Sequence, residues 1–156
     1  MPLYTLETSQ KIPAPLNQVW DFISSPENLK LITPKRMGFN ILTKNLPAKM
    51  YPGLIITYHI TPMFGLKTNW VTEITHCQEH VYFIDEQRFG PYKMWHHQHN
   101  LTSIPEGVLM EDLISYIPPF GVLGSIANSL VIGKMLKDIF AYRYRKLERI
   151  FGRIQS

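Results

Sequence analysis

His97 and His99 stand two residues apart in the run Trp95-His96-His97-Gln98-His99. In an extended backbone, side chains alternate between faces, so both imidazoles share a face with Trp95 and Leu101, ~7 Å apart along the chain. The same parity puts Asp85 and Gln87 beside Phe83 on the preceding segment. It puts Asp112 beside Met110, Ile114 and Tyr116 on the following one. If these faces converge, two imidazoles, two carboxylates, an amide and a phenol meet in one place. Buried polar groups cost about 1–3 kcal/mol each unless paired, so His97 or His99 with Asp112, and Tyr116 with Asp85, are the expected pairs.

Such a cluster supports three kinds of chemistry. It can be a structural polar network that fixes strand register. It can hold the carbonyl, hydroxyl or carboxylate head of an apolar ligand. Or it can transfer protons, with His97 or His99 as acid or base and Asp112 as orienting partner, as dehydration or cyclisation would require. A zinc ion on the His-x-His pair, with Asp112 or Asp85 added, has the weakest sequence support, because no cysteine or HExxH helix accompanies the pair. No metal or other cofactor is expected. His96 faces the other way, and His59, His76 and His80 are scattered as surface residues. Tyr58, Trp70, Phe83, Trp95, Met110 and Phe140 are expected to line the apolar part of a cavity. Met63-Phe64-Gly65 sits on a loop that could lie over its mouth.

The elements that must position these groups are legible in order. Residues 3–11 alternate as a strand, stopped by Pro13-Ala14-Pro15. Leu16, Val19, Trp20 and Ile23 have helical spacing over 16–24. Ser25-Pro26 starts a second short helical turn, which Thr33-Pro34 ends. Six strands follow, at about 39–43, 54–61, 68–77, 81–88, 93–104 and 108–116, joined by turns such as Gly90-Pro91 and Pro105-Glu106-Gly107. Short connections imply antiparallel pairing. One long helix then covers about 120–151, its stripe running Val122, Ile126, Leu130, Gly133, Leu136, Phe140, Tyr144, Leu147 and Phe151. Its first half is rich in small residues (Gly121, Gly124, Ser125, Ala127, Ser129), which would leave volume unfilled against the sheet.

The 156 residues fit a single domain, with 45% hydrophobic and 18% charged residues as in ordinary folded proteins. One cysteine, Cys77, allows no internal disulfide. The start lacks the basic and apolar regions of a signal peptide, so a cytoplasmic location is expected. The uncharged run between Asp112 and Lys134 contains Pro118-Pro119 and several glycines, and no integral membrane segment is expected. A net charge of +4 is concentrated in the last quarter, on Lys134, Lys137, Arg143, Arg145, Lys146, Arg149 and Arg153. A solvated helix face explains it; an anionic surface as partner is the alternative. Phosphate loops, a GxGxxG turn and a GxSxG elbow are absent from the sequence. The aromatics alternate with aliphatics rather than lysines and arginines, so no nucleic-acid partner is expected.

The order strand, two short helices, six strands, long helix resembles the helix-grip fold of the birch-pollen-allergen, START and polyketide-cyclase superfamily, often called SRPBCC. The resemblance spans nearly the whole chain and extends to particular residues. Ile12-Pro13-Ala14-Pro15 and Val19-Trp20-Asp21-Phe22, with Pro26 and Leu29, resemble the superfamily's approach to its first helices. Asp85-Glu86-Gln87, Gly90-Pro91-Tyr92, Trp95 to His99, Asp112, and Tyr116 through Pro119-Phe120-Gly121 resemble a bacterial branch of it. The resemblance implies an α+β helix-grip domain over residues 1–156, with a curved antiparallel sheet of about seven strands around the C-terminal helix. It also implies an internal cavity for a small hydrophobic ligand of lipid, sterol or polyketide type, in a monomer or homodimer. Most relatives of this kind bind rather than catalyse. The alternatives are a cyclase or dehydratase using His97, His99 and Asp112, and an interaction module using the basic helix.

Overall fold

The computed structural model describes residues 2–61, 65–119 and 131–154. Strand β1 (Tyr4–Ile12) gives way, through Pro13 and Pro15, to helix α1 (Leu16–Ile23), which buries Val19, Trp20 and Ile23. Pro26 then opens a 3-10 turn (Pro26–Lys30), tied back by the Asn28 amide donating to the Phe22 carbonyl at 2.9 Å. A second such turn, Lys35–Met37, was not foreseen; it closes on Gly38 at φ 55°, a left-handed backbone that glycine adopts without a Cβ clash.

The six remaining strands are β2 (Asn40–Ile41), β3 (Ile55–Ile60), β4 (Thr68–Gln78), β5 (Tyr82–Phe89), β6 (Met94–Ile104) and β7 (Gly107–Ile117). They form one curved antiparallel sheet with β1, in the order β1-β7-β6-β5-β4-β3-β2. Strand β2 is shorter than its sequence suggests for a local reason. The N–H groups of Leu42 and Thr43 both donate to the Thr57 carbonyl, and the Thr57 N–H turns to the Thr43 hydroxyl at 2.7 Å, so the ladder stops there. Two register shifts between β4 and β5 act as bulges, which bend a strand and increase its twist.

The described part of the C-terminal helix, α2, is Gly133–Phe151. Leu136, Phe140 and Leu147 face the sheet, and the Gln10 amide donates to the Tyr144 carbonyl at 3.0 Å. The expected stripe is one residue out in its middle: Tyr144 is 43% exposed, and Arg143 turns inward in its place. The helical stretch proposed for 120–130, with Val122, Ile126, Leu130 and the small residues, and the Met63-Phe64 loop lie outside the described residues.

Two apolar clusters fill the inner face. One joins Trp20, Phe83, Leu101, Met110 and Leu147; the other joins Trp70, Tyr92, Ile114, Tyr116 and Phe140. On the central strands the rows between them are polar, which is where His97, His99 and Asp112 lie.

The hairpin β6–β7 turns over Pro105-Glu106 and brings Gly107 against the end of β1. Gly107 sits at φ 142°, and a Cβ there would lie 2.1 Å from the Ile12 carbonyl oxygen, which is backbone and cannot swing away. Gly107→Ala is expected to lower stability by about 2–4 kcal/mol, read as a reduced urea midpoint with the m-value unchanged. An unchanged midpoint would show that the β1 end is not pinned by this contact.

Candidate functional site

Register on the three central strands assembles the site. Asp85 pairs across to His97, which pairs to Ile114; Phe83 pairs to His99, which pairs to Asp112. Adjacent strands thus set imidazole beside carboxylate on two consecutive inward rows. His97, His99 and Asp112 are each at most 5% exposed. His97 Nε2 donates to Asp112 Oδ1 at 2.8 Å, and His99 Nδ1 approaches the same oxygen at 3.0 Å. On the other side His99 Nε2 donates to Asp85 Oδ2 at 2.8 Å, while His97 Nδ1 stands 3.5 Å from that oxygen. The two imidazoles lie 3.7 Å apart, and His99 stacks on Phe83 at 4.0 Å. The pairing of His97 and His99 with Asp112 follows the sequence expectation. Asp85 is engaged by the two imidazoles, and Tyr116 packs among Tyr4, Tyr92 and Trp95.

Sequence reasoning missed Arg143, which it had placed on a solvated basic face. The side chain is 12% exposed, sets its guanidinium over the Phe140 ring at 4.7 Å and reaches Asp112 Oδ1 at 3.6 Å. Its Nε and Nη1 are buried without a hydrogen-bond partner. The signal was present: Leu136, Phe140, Arg143 and Leu147 follow a four-three-four spacing on one helix face. Thr72 was also missed. Its buried hydroxyl receives the Trp70 indole N–H at 3.0 Å and shares a hydrogen bond with the Tyr58 hydroxyl at 3.2 Å.

These groups border a cavity of about 120 Å³ between sheet and helix. That is roughly the size of an engineered core cavity that accepts benzene. Tyr58, Trp70, Phe83, Trp95 and Phe140 form apolar wall, and Asp85, His97, His99 and Arg143 form a polar end. Asp112 lies behind the imidazoles. With Met110, Asp112 lines instead a groove between β1 and α2, which shares Phe140 and Arg143 with the cavity. Gln87 does other work: its amide donates to the Tyr92 carbonyl at 2.6 Å and accepts from the Tyr92 N–H at 3.2 Å, closing the β5–β6 turn. His96 faces away, beside Glu86 at 3.1 Å. His76 is exposed, whereas His59 and His80 are half-buried, His80 edge-on to Trp20. Among the described residues, Asp85, His97 and His99 are the group with donor atoms close enough to share a metal ion, all within 4.8 Å.

Burial separates the protonation states of the two imidazoles. His97 is pushed down to about 4, first by burial and then by the adjacent His99 charge, against the pull of Asp112 and Asp85. His99 suffers the same burial, but hydrogen bonds to Asp112 and Asp85 outweigh it and raise its pKa. Burial works against ionising Asp112 and Asp85 too, yet hydrogen bonds from the histidines hold both below the usual carboxylate range. Just below pH 6.5 the cluster therefore holds a neutral His97, a protonated His99 and two carboxylates.

No protein-family model matches the chain, and no curated protein matches it by sequence. Solved structures do. Protein CV1439 from Chromobacterium violaceum aligns with TM-score 0.71 at 14% identity, covering 96% of this chain and 99% of its own. A START superfamily protein from Mycobacterium smegmatis aligns with TM-score 0.69 at 13% identity, covering 94% and 98%. Ara h 8.0201, of the birch-pollen-allergen type, gives 0.63 at 12%, covering 96% and 98%. The fold is a helix grip, the architecture these START and birch-pollen-allergen structures share. At these identities the likeness speaks for architecture, and the chemistry rests on the side chains. No described helix of this helix-grip chain is long and apolar enough to cross a membrane.

The two imidazoles give opposite pH dependence in metal-free protein. Between pH 6.5 and about 4 the unfolded chain takes up the proton that folded His97 refuses, so stability falls as pH falls, by roughly 3 kcal/mol across that window. His99 binds its proton more tightly when folded, so its contribution is complete below pH 6.5 and is lost as pH rises through its raised pKa. Urea titrations in EDTA buffer should show a flatter acid limb for His97→Gln and a flatter alkaline limb for His99→Gln. Parallel curves for wild type and both variants would contradict this assignment.

Proposed function

We propose that this chain binds a small hydrophobic molecule between the sheet and the C-terminal helix, with the ligand's polar head at the Arg143 end. The observation that carries this reading is Arg143 itself. A buried N–H without an acceptor costs about 1–3 kcal/mol, more when the group is charged. Nε is such a donor, while Nη1, also buried, has only a 3.6 Å approach to Asp112 Oδ1; both belong to a side chain bordering a cavity whose other walls are largely apolar. A carbonyl, hydroxyl or carboxylate on an apolar body satisfies the donors and fills the space. The likeness to a START superfamily protein supports a binding role over a solid core. With a cavity of about 120 Å³, the first candidates carry one ring or a short chain. A sterol or a long acyl chain would need the helix and sheet to part.

A second reading, proton-transfer catalysis of the cyclase or dehydratase type, draws on the neutral imidazole of His97 beside the charged His99. Asp112 would then orient both rings. In that case His97→Ala and His99→Ala would abolish turnover while leaving the ligand bound. Loss of binding with no turnover to lose fits a carrier or sensor. The basic helix as an anionic-surface module has less support, since Arg143 is turned inward and Lys134 and Arg153 are paired with Asp138 and Glu148.

Benzoate and benzyl alcohol test the head-group assignment, because they share a ring and differ in charge. Followed by amide chemical shifts, Arg143→Met should weaken benzoate about 10- to 100-fold and benzyl alcohol much less. Equal loss for both, or none for benzoate, would count against an acceptor held by Arg143.

A further inference from the structure

The imidazoles and Asp85 form a second kind of site, independent of what fills the apolar part of the cavity. His97 donates through Nε2 to Asp112, which leaves the Nδ1 lone pair facing Asp85 Oδ2 at 3.5 Å. His99 presents Nδ1 to the same Asp112 oxygen at 3.0 Å, which turns Nε2 toward Asp85 Oδ2 at 2.8 Å. Two atoms with lone pairs, Asp85 Oδ2 and His97 Nδ1, therefore converge with the His99 Nε2–H, whose proton a metal ion would displace. Asp112 stands on the far side of both rings from the point of convergence.

We propose that Asp85 Oδ2, His97 Nδ1 and His99 Nε2 bind one divalent ion of the zinc class, with its remaining coordination positions facing the cavity. Four observations support this. First, a tetrahedral zinc ion with ligands at 2.0–2.2 Å sets them ~3.3 Å apart. The two carboxylate–imidazole distances, 2.8 and 3.5 Å, bracket that value, and all three donors lie within 4.8 Å of one another. Second, two imidazoles and a carboxylate suit zinc or cobalt better than the hard cations that prefer oxygen alone.

Third, metal-bound histidines characteristically donate their other N–H to a carboxylate, which fixes the ring and raises its basicity. Asp112 takes that position for both rings at once, with no share in the cavity lining. Fourth, Asp85, His97 and His99 all line the cavity, so three protein ligands face an open side, the arrangement of catalytic rather than structural zinc. The charges agree with this. Two carboxylates neutralise the ion, and Arg143 remains as a cation beside the open positions, ready for a hydroxide or an anionic head group. An ion held there would polarise a carbonyl or hydroxyl of whatever the cavity contains.

The test uses the full chain, stripped with EDTA and titrated with Co(II), whose visible absorption reports a four-coordinate N/O site, and with Zn(II) in competition. One equivalent should bind in the micromolar range or tighter. Asp85→Asn and His97→Ala should each weaken Co(II) by about 100-fold or more, and Asp112→Asn by about 10- to 100-fold with the visible bands shifted. Lys44→Ala, an exposed residue between β2 and β3, should leave binding unchanged. Circular dichroism confirms that each variant is folded. Absence of a one-to-one complex in the wild-type protein overturns the proposal, whatever the variants do. So does binding that survives both Asp85→Asn and His97→Ala, which would place the ion on outer histidines such as His76 and His80. Benzoate binding to EDTA-stripped protein tests the apolar-ligand reading separately.

Discussion

Asp112 Oδ1 accepts from both His97 and His99, and much of the interior is arranged around that shared contact. A carboxylate removed from water is tolerated only when hydrogen bonds replace its hydration, and a buried imidazole has the same requirement. The two needs meet on adjacent strands because β6 and β7 pair His99 directly with Asp112 and set His97 one inward row away. Asp85, from β5, closes the other side. The result is a compact polar island between two apolar clusters, with an aromatic stack of Phe83, His99 and His97 through its centre.

Such an island is an expensive way to stabilise a fold. Apolar residues of similar volume are often as good or better in the same place, whereas removing one partner of a buried pair leaves a charge uncompensated. The cluster is also incompletely satisfied, since Arg143 Nε is a buried donor without an acceptor and Nη1 only approaches Asp112 Oδ1, at 3.6 Å. A network built only to fix register would close on itself. This one is closed toward Asp112 and open toward the cavity.

The aromatic wall complements that polarity. Trp70 lies between Tyr58, stacked at 5.9 Å, and Trp95, edge-on at 5.5 Å, while Thr72 takes the indole N–H that burial would otherwise strand. Rigid rings held by one another leave space that flexible aliphatic chains would collapse into, so the hollow persists at the junction of sheet and helix.

The sequence alone determined the strand faces, because a period of two is local: Trp95, His97, His99 and Leu101 had to share a side, as did Met110, Asp112, Ile114 and Tyr116. It determined the element order and the turns for the same reason, since Pro and Gly act on their own backbone and the next residue. Tertiary structure decided what depends on packing between distant segments. Whether Arg143 or Tyr144 faced inward was a matter of about 100° of helix rotation, which a pattern averaging 3.6 residues leaves loose and the fit against β1 and β7 settles. Asp85 met the imidazoles because the β5–β6 register set it opposite His97, and Gln87 left the site because its amide was needed by the Tyr92 backbone. Local chemistry selected the participants; their pairing came from the closing of a sheet over a helix.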